Sequence, residues 1–298
     1  MPELSLDLVF QAVRGNAFLL TAYGALFFVF EAVIPWLSRR LAEGKTGNWQ
    51  LQTDIGFFKP QFLLEFSLPL VNKAIELTLF LGPVYALMSI LQPVLPNFVL
   101  AGWIAQLPFV LQVFAGMLVM DLAVYAEHRF IHRFAWPFHA IHHAAHDVTW
   151  ITAFRMHPVN TLSIMLFNSV IGWILGFSGE AWVLAATIVG FLSVLEHANL
   201  DWDWGVPFRY LIVSPNFHKW HHVKRDDVVA KNLCLAFPFI DLLFGTFHFP
   251  RDERPEDFGI YELPGEEPIE GGLLVHLWYP FGRCWRAIVA ALSASQPD

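Results

Sequence analysis

Charge is scarce in this chain. Only 15% of its 298 residues are Asp, Glu, Lys or Arg, against about 25% in an average soluble domain, which excludes an ordinary soluble enzyme. Cysteine is nearly absent as well. Cys234 and Cys284 are the only two, too few for a disulfide framework or a cysteine-based metal site. There is no basic run, and a net charge of −8 from 18 Lys+Arg and 26 Asp+Glu removes the electrostatic footprint of a nucleic-acid partner. A glycine-rich dinucleotide motif, a haem-attachment motif and the HExxH signature of zinc proteases are all missing.

What the chain has instead is apolar length. Apolar residues make up 56% of it, in runs that match the roughly 20 residues needed to cross a bilayer. Five spans are expected, at about 16–37, 60–81, 104–127, 159–176 and 181–197. The last two are short, and the second carries Lys73 and Glu76. The first is too long and too late for a cleaved signal peptide. Between the second and third, Pro83 to Pro96 is too short to span and reads as interfacial or re-entrant. Lys and Arg orient such bundles. Arg39, Arg40, Lys45 and Lys59 follow the first span, and counting onward puts 128–158 and 198–298 on the same cytoplasmic face. Gly176 and Gly179 then turn a hairpin that returns the chain to that face. Three regions result: 1–103 with N-terminal helices and loops, 104–250 as the catalytic region, and 251–298 as a cytosolic loop and helix. Within the last, Leu273 to Ala291 reads equally as an amphipathic helix on the membrane surface or as an ordinary packing helix.

Histidine is the anomaly: thirteen occur, six of them between His128 and His146. Three boxes stand out: His128 and His132 in an HxxxH, His139, His142 and His143 in an HxxHH, and His218, His221 and His222 in another HxxHH. Residues three and four apart share a helix face, so each box is expected to point its imidazoles at one spot. A random chain of this composition would hold one HxxHH about 0.025 times. Eight imidazoles exceed the needs of one metal and suit two. Imidazole is compatible with iron, zinc, copper and nickel, so ligand type alone does not name the metal. A site at a bilayer surface implies a lipid substrate, and an inert C–H bond requires an oxidant.

From Asp121 to Phe249 the chain resembles the membrane fatty acid hydroxylase/sterol desaturase superfamily of diiron oxygenases. The likeness runs through Asp121 and Tyr125, HRFIH, Trp136-Pro137-Phe138 before HAIHH, and Thr152 to Pro158. It continues through His197-Ala198-Asn199, Ser214-Pro215 before HKWHH, Asn232, and Asp241 to Thr246. It departs where Leu233-Cys234 follow Asn232 and where Ile240 precedes Asp241. The resemblance implies an all-α integral membrane bundle of four to five spans, with a cytosolic helical cap around a histidine-rich dinuclear site. It implies two iron ions with O2 as co-substrate, held by His128, His132, His139, His142, His143, His218, His221 and His222. His197 is implied as a ninth ligand, and His157 as a tenth or as a neighbour of the ligands. His146, His248 and His276 fall outside the pattern.

Metal-bound imidazoles usually donate their other N–H to an oxygen. Asp121, two helical turns before His128, is the favoured supporting carboxylate, ahead of Glu127, Glu196, Asp201 and Asp241. The implied activity is O2-dependent hydroxylation or desaturation of a lipid, with a lean toward a sterol-like substrate. With no cofactor motif of its own, the chain needs an external electron donor of cytochrome b5 or ferredoxin type. Arg129, Arg133, Lys219, Lys224 and Arg225 read either as a docking face for it or as a solvated surface. A zinc-dependent membrane lipid hydrolase and a non-catalytic metal-binding protein are the competing classes. Ser295 to Asp298 form no retention signal, which favours a bacterial inner membrane over endoplasmic reticulum.

Overall fold

The computed structural model describes residues 60–75, 101–250, 252–260 and 269–294, together with Ala25 and Val29. Apart from Ala25 and Val29, the expected span at 16–37 lies outside these residues, as do the segment from Pro83 to Pro96 and the basic loop from Arg39 to Lys59. Among the described residues the protein is helical, and extended backbone pairs only in one isolated bridge, between Val223 and Phe258.

The first described helix, α1 (Pro60–Ile75), carries Pro69 internally. Its described part is 16 residues, about 24 Å. A single turn, α2 (Ala101–Ile104), precedes the main helix α3 (Phe109–Phe134). Pro108 sets the start of α3, because proline cannot supply the N–H that a helix interior uses. No later residue breaks the helix before Ala135, so α3 continues past the expected end at 127. The first histidine box therefore sits on the same rigid rod as the span. After Ala135 comes α4 (Trp136–His143), with a proline in its first turn, where the missing N–H costs nothing.

A 3₁₀ turn over Trp150–Phe154 leads into α5 (Pro158–Leu175). Gly176, at φ +71°, ends α5 in a conformation glycine adopts without steric cost. Ser178 then caps α6 (Gly179–His197) by accepting from the Ala181 N–H. The expected hairpin is thus present, and the start of α5 and the end of α6 lie on one side. Helix α3 packs against both α5 and α6. A short helix, α7 (Pro215–Lys219), tightens to 3₁₀ at Trp220–His222, and α8 (Phe239–Phe244) follows. Finally, α9 (Leu273–Ala294) packs on α4 and α1.

Among the described residues, α3 and α6 are long and apolar enough to cross a membrane, while the described apolar stretches of α1 and α5 are shorter. Side chains such as Val110, Phe114, Leu122 and Phe130 on α3 stay exposed, as expected of a lipid-facing surface. Inward, Met120 and Tyr125 of α3 meet Val189, Leu192 and Leu195 of α6, with Phe217, Leu233 and Ile240 closing the core beneath them.

Small residues set how closely the three long helices approach. A Cβ on Gly172 would lie 2.4 Å from the Trp182 ring, and one on Gly116 would lie 3.1 Å from Ala185 Cβ. Bilayer helices use such residues because packing, rather than water exclusion, holds them together. Gly172→Ala is therefore expected to displace Trp182 and cost about 1–3 kcal/mol, read as a lower thermal midpoint of the detergent-solubilised protein.

Candidate metal centre

Two groups of imidazoles meet at the end of the bundle where α3 finishes, α5 begins and α6 ends. His128, His132, His139, His143 and His221 form one; His142, His197, His218 and His222 form the other. Within each group, one ring nitrogen per residue lies within 4.8 Å of all the others. The eight box histidines and His197 thus come together, as expected. Eight of these nine rings are buried, and His132 is partly exposed.

The boxes do not each serve one spot. Pairs four apart stay together: His128 with His132, His139 with His143, and His218 with His222. The remaining member of each HxxHH crosses over, so His142 joins the group of four and His221 the group of five. A step of one residue turns the side chain about 100° around a helix, so neighbouring histidines face different centres. Each HxxHH box therefore spans both groups and holds them side by side, with the His143 and His222 ring centroids 4.7 Å apart.

Hydrogen bonds fix several tautomers. His128 Nδ1 donates to Leu233 O at 2.9 Å, His139 Nδ1 to Asn160 Oδ1 at 2.8 Å, and His221 Nδ1 to Lys231 O at 2.7 Å. His197 Nδ1 donates to Ser193 O at 2.6 Å. A neutral ring protonated at Nδ1 has a bare lone pair at Nε2. Yet His128 Nε2 and His139 Nε2 are only 2.9 Å apart; with both Nδ1 atoms donating, neither Nε2 has a proton to share. His132 Nε2 approaches His221 Nε2 to 3.2 Å, and His197 Nε2 approaches His142 Nε2 to 3.2 Å. The buried Nε2 atoms of His143, His218 and His222 have no hydrogen-bond partner. Converging lone pairs and orphaned nitrogens are what metal cations satisfy, so the residues present fit a pair of metals.

Protonation does not offer an alternative. Outside the membrane helices, burial pushes His139, His142, His143, His218, His221 and His222 well below the usual imidazole range, and neighbouring rings push the same way. The rings are held neutral, the form that ligates metal.

Asp121 behaves differently from expectation. Its carboxylate accepts from the backbone N–H groups of Leu235, Ala236 and Phe237 at 2.6, 3.1 and 2.7 Å and touches no imidazole. Asp241 takes the Leu233 and Cys234 N–H groups at 2.9 and 3.1 Å, and the Thr246 hydroxyl at 2.7 Å. Together the two carboxylates hold five consecutive amides, and the same loop presents Leu233 O to His128. Asp121 thus holds the loop that carries Leu233 O and has no hydrogen bond to His128. Asn232, at φ +53°, starts this loop in the left-handed region that asparagine tolerates, bonded to Phe217 O and His248 O. Glu127 supports the site through an amide: it accepts from Asn160 Nδ2 at 3.2 Å and from Ser163 at 2.7 Å. Asp201 lies further off, with Asn216 and Arg254.

His157 is not brought to either group. Its Nδ1 accepts from the Val159 N–H at 3.1 Å, and its Nε2 donates to Leu277 O on α9 at 3.1 Å. Arg155 is equally structural in position. Its guanidinium donates to Ile141 O and Ala144 O, carbonyls at the C-terminal end of α4, and lies 3.5 Å from Glu65 on α1. It also contacts His276 Nε2 on α9 at 3.1 Å. Of the basic residues considered for docking, Lys219 is fully buried with Nζ on Leu200 O, and Arg225 is paired with Asp227 and Glu253. Sequence reasoning missed Asn160 and Glu65. Asn160 lies one turn after His157 on the face that meets α3, and Glu65 was hidden in an apolar run.

The geometry defines a helical protein with two helices long and apolar enough to cross a membrane and paired imidazole clusters able to hold metal. The sequence model described as fatty acid hydroxylase matches residues 113–246, a stretch that contains all nine clustered histidines. The chain is 30% identical to the beta-carotene hydroxylase of Paracoccus sp. (strain PC1) over 169 residues, covering 48% of this chain and 96% of that protein. It belongs to the fatty acid hydroxylase family. It is also 29% identical to the ornithine lipid hydroxylase of Rhizobium tropici over 183 residues, 61% of this chain and 54% of that protein. Against the alkylglycerol monooxygenase of Caenorhabditis elegans it is 23% identical over 142 residues, 47% of this chain and 28% of that protein. The chain thus spans about half of the first of these two and about a quarter of the second. No solved structure matches.

Two outcomes are expected here. Arg155→Leu removes the guanidinium that faces the buried Glu65 carboxylate, leaving Thr152 as its hydrogen-bond donor, and should cost about 3–5 kcal/mol; adding Glu65→Leu should recover part of that loss in thermal denaturation. His276 gives a pH signature. Burial, with the Arg155 guanidinium beside it, pushes it down to about 4, below an unfolded value of about 6.5. Below pH 6.5 the unfolded chain binds a proton that the folded chain refuses until about pH 4. The associated stability is therefore present above pH 6.5 and is lost toward pH 4, at about 1.4 kcal/mol per unit. His276→Gln removes this slope, so any stability advantage of wild type over the variant should shrink between pH 7 and pH 5.

Proposed function

We propose that this protein is an O2-dependent lipid hydroxylase with one iron in each imidazole group. The observation that carries the reading is the division of nine imidazoles, eight of them buried, into two adjoining groups. His128, His132, His139, His143 and His221 would ligate one iron, and His142, His197, His218 and His222 the other. Iron with O2 supplies the oxidant that an unactivated C–H bond requires. The chain's own part is to keep nine ring nitrogens unprotonated, orient them through backbone and amide oxygens, and hold the site where α3 and α6 leave the bilayer. A lipid chain lying between the helices can then reach the site without entering water.

Hydroxylation is favoured over desaturation, because the three relatives named above are hydroxylases or monooxygenases. Their names point to an acyl-bearing, ether or isoprenoid lipid, and none names a sterol, which moves the substrate away from the sterol-like expectation. The Lys/Arg distribution supports a cytoplasmic active site, in a bacterial inner membrane. Residues 104–250 would be the catalytic region, between the helices and loops of 1–103 and the C-terminal segment 251–298. Electrons would come from a separate cytochrome b5- or ferredoxin-type donor, since the chain carries no motif for a redox group of its own beyond the histidines.

The test is iron analysis of the purified protein together with lipid turnover under ¹⁸O2 and a ferredoxin donor. The expectation is two irons per chain and ¹⁸O in a lipid alcohol. His142→Ala and His221→Ala, one from each group, should each lose iron and reduce turnover at least 100-fold. Stoichiometric zinc after iron-replete expression, with lipid turnover in the absence of O2, would overturn the reading in favour of a zinc hydrolase.

A further inference from the structure

The two imidazole groups are supported by different chemistry. In the group of five, His128, His139 and His221 donate their outer N–H to neutral oxygens: Leu233 O, Asn160 Oδ1 and Lys231 O. In the group of four, His197 donates to a neutral carbonyl, Ser193 O, but His218 faces a carboxylate. Its Nδ1 lies 3.5 Å from Glu196 Oε2. Glu196 Oε1 lies 3.9 Å from His197 Nδ1, which Ser193 O already occupies.

Glu196 is fully buried, and neither of its oxygens has a hydrogen-bond partner; His218 Nδ1 has none either. A buried carboxylate without a donor is costly, and so is a buried ring nitrogen without a partner. Here the two unsatisfied groups face each other beside the metal-binding nitrogens. Among the described residues this is the closest approach of a carboxylate to any of the nine imidazoles, since Asp121 and Asp241 hold backbone amides and Glu127 acts through Asn160.

Building on the paired-metal reading above, we propose that Glu196 is the positioning residue of the group of four. Its carboxylate takes the Nδ1 proton of His218 as a hydrogen bond, turns the bare Nε2 toward His142, His197 and His222, and places a negative charge next to that metal alone. The two metal positions are therefore inequivalent. The one in the group of four has fewer imidazoles and an anionic neighbour; the one in the group of five has more imidazoles and neutral neighbours. An oxygen that accepts the outer N–H raises the donor strength of an imidazole, and its loss typically costs about 10–100-fold in metal affinity.

Cobalt(II) titration of the metal-free, detergent-solubilised full chain, followed by its visible absorption, tests this without requiring turnover. Wild type should bind two cobalt ions. Glu196→Ala and Glu196→Gln should each weaken one of them about 10–100-fold and leave the other unchanged. Asn160→Ala, which removes the neutral partner of His139, should weaken the opposite ion, so Glu196→Gln combined with it should weaken both. In metal-free protein Glu196→Gln should melt no lower than wild type, because the carboxylate finds no hydrogen bond there. Wild-type affinity at both positions in Glu196→Gln would overturn the proposal. So would equal weakening of both ions accompanied by a lower melting point, the mark of a merely structural role. Fewer than two ions on wild type would instead overturn the paired-metal reading on which the proposal rests.

Discussion

The structure depends on one electrostatic requirement: nine neutral imidazoles must share a small buried space with their bare nitrogens turned inward. Nε2 atoms 2.9–3.2 Å apart repel when both carry lone pairs, and the low polarity around them denies relief through protonation. Cations between them reverse the sign of the interaction. The long unbroken α3, the immediate start of α4 and the return of the α5–α6 hairpin all deliver rings to that space, and each would be a poor investment without a metal.

The groups that hold the rings are mostly backbone oxygens, which makes loop placement as consequential as ligand identity. Five consecutive amides, from Leu233 to Phe237, are held by Asp121 and Asp241. Hydrogen bonds to charged acceptors are roughly twice as strong as neutral ones. Fixing the loop fixes Leu233 O, and through it the tautomer of His128. Arg155 does the corresponding work for α4. It satisfies carbonyls at the helix end that would otherwise be orphaned and ties that end to α1 and α9.

Much of the centre was legible from residue types and spacing. HRFIH, HAIHH and HKWHH are improbable by chance, and recurrence at intervals of three and four places imidazoles along a helix surface. His197 was legible only through its neighbours, as part of a family pattern. Asn160 and Glu196 show where reading along the chain stopped. Asn160 carries no motif linking it to His139 across 21 residues, and Glu196 stood among the supporting carboxylates behind Asp121, with nothing along the chain to place it against His218. Lys219 lies in the middle of a box and reads as a surface cation, yet it is buried. Charge alone does not reveal which face of a short helix turns inward.

The sequence by itself determined the class of site and of fold, because helical periodicity and apolar length are local properties. Residues four apart stay on one face whatever surrounds them, and all three such histidine pairs remained together. Tertiary structure decided what local periodicity cannot reach: how the boxes divide between two centres, and which oxygen receives each outer N–H. It also decided that His157 bonds to α9 instead of joining the cluster. Those outcomes depend on the angles at which separate helices meet, and such angles are set by contacts such as Gly172 against Trp182, between residues distant in the chain.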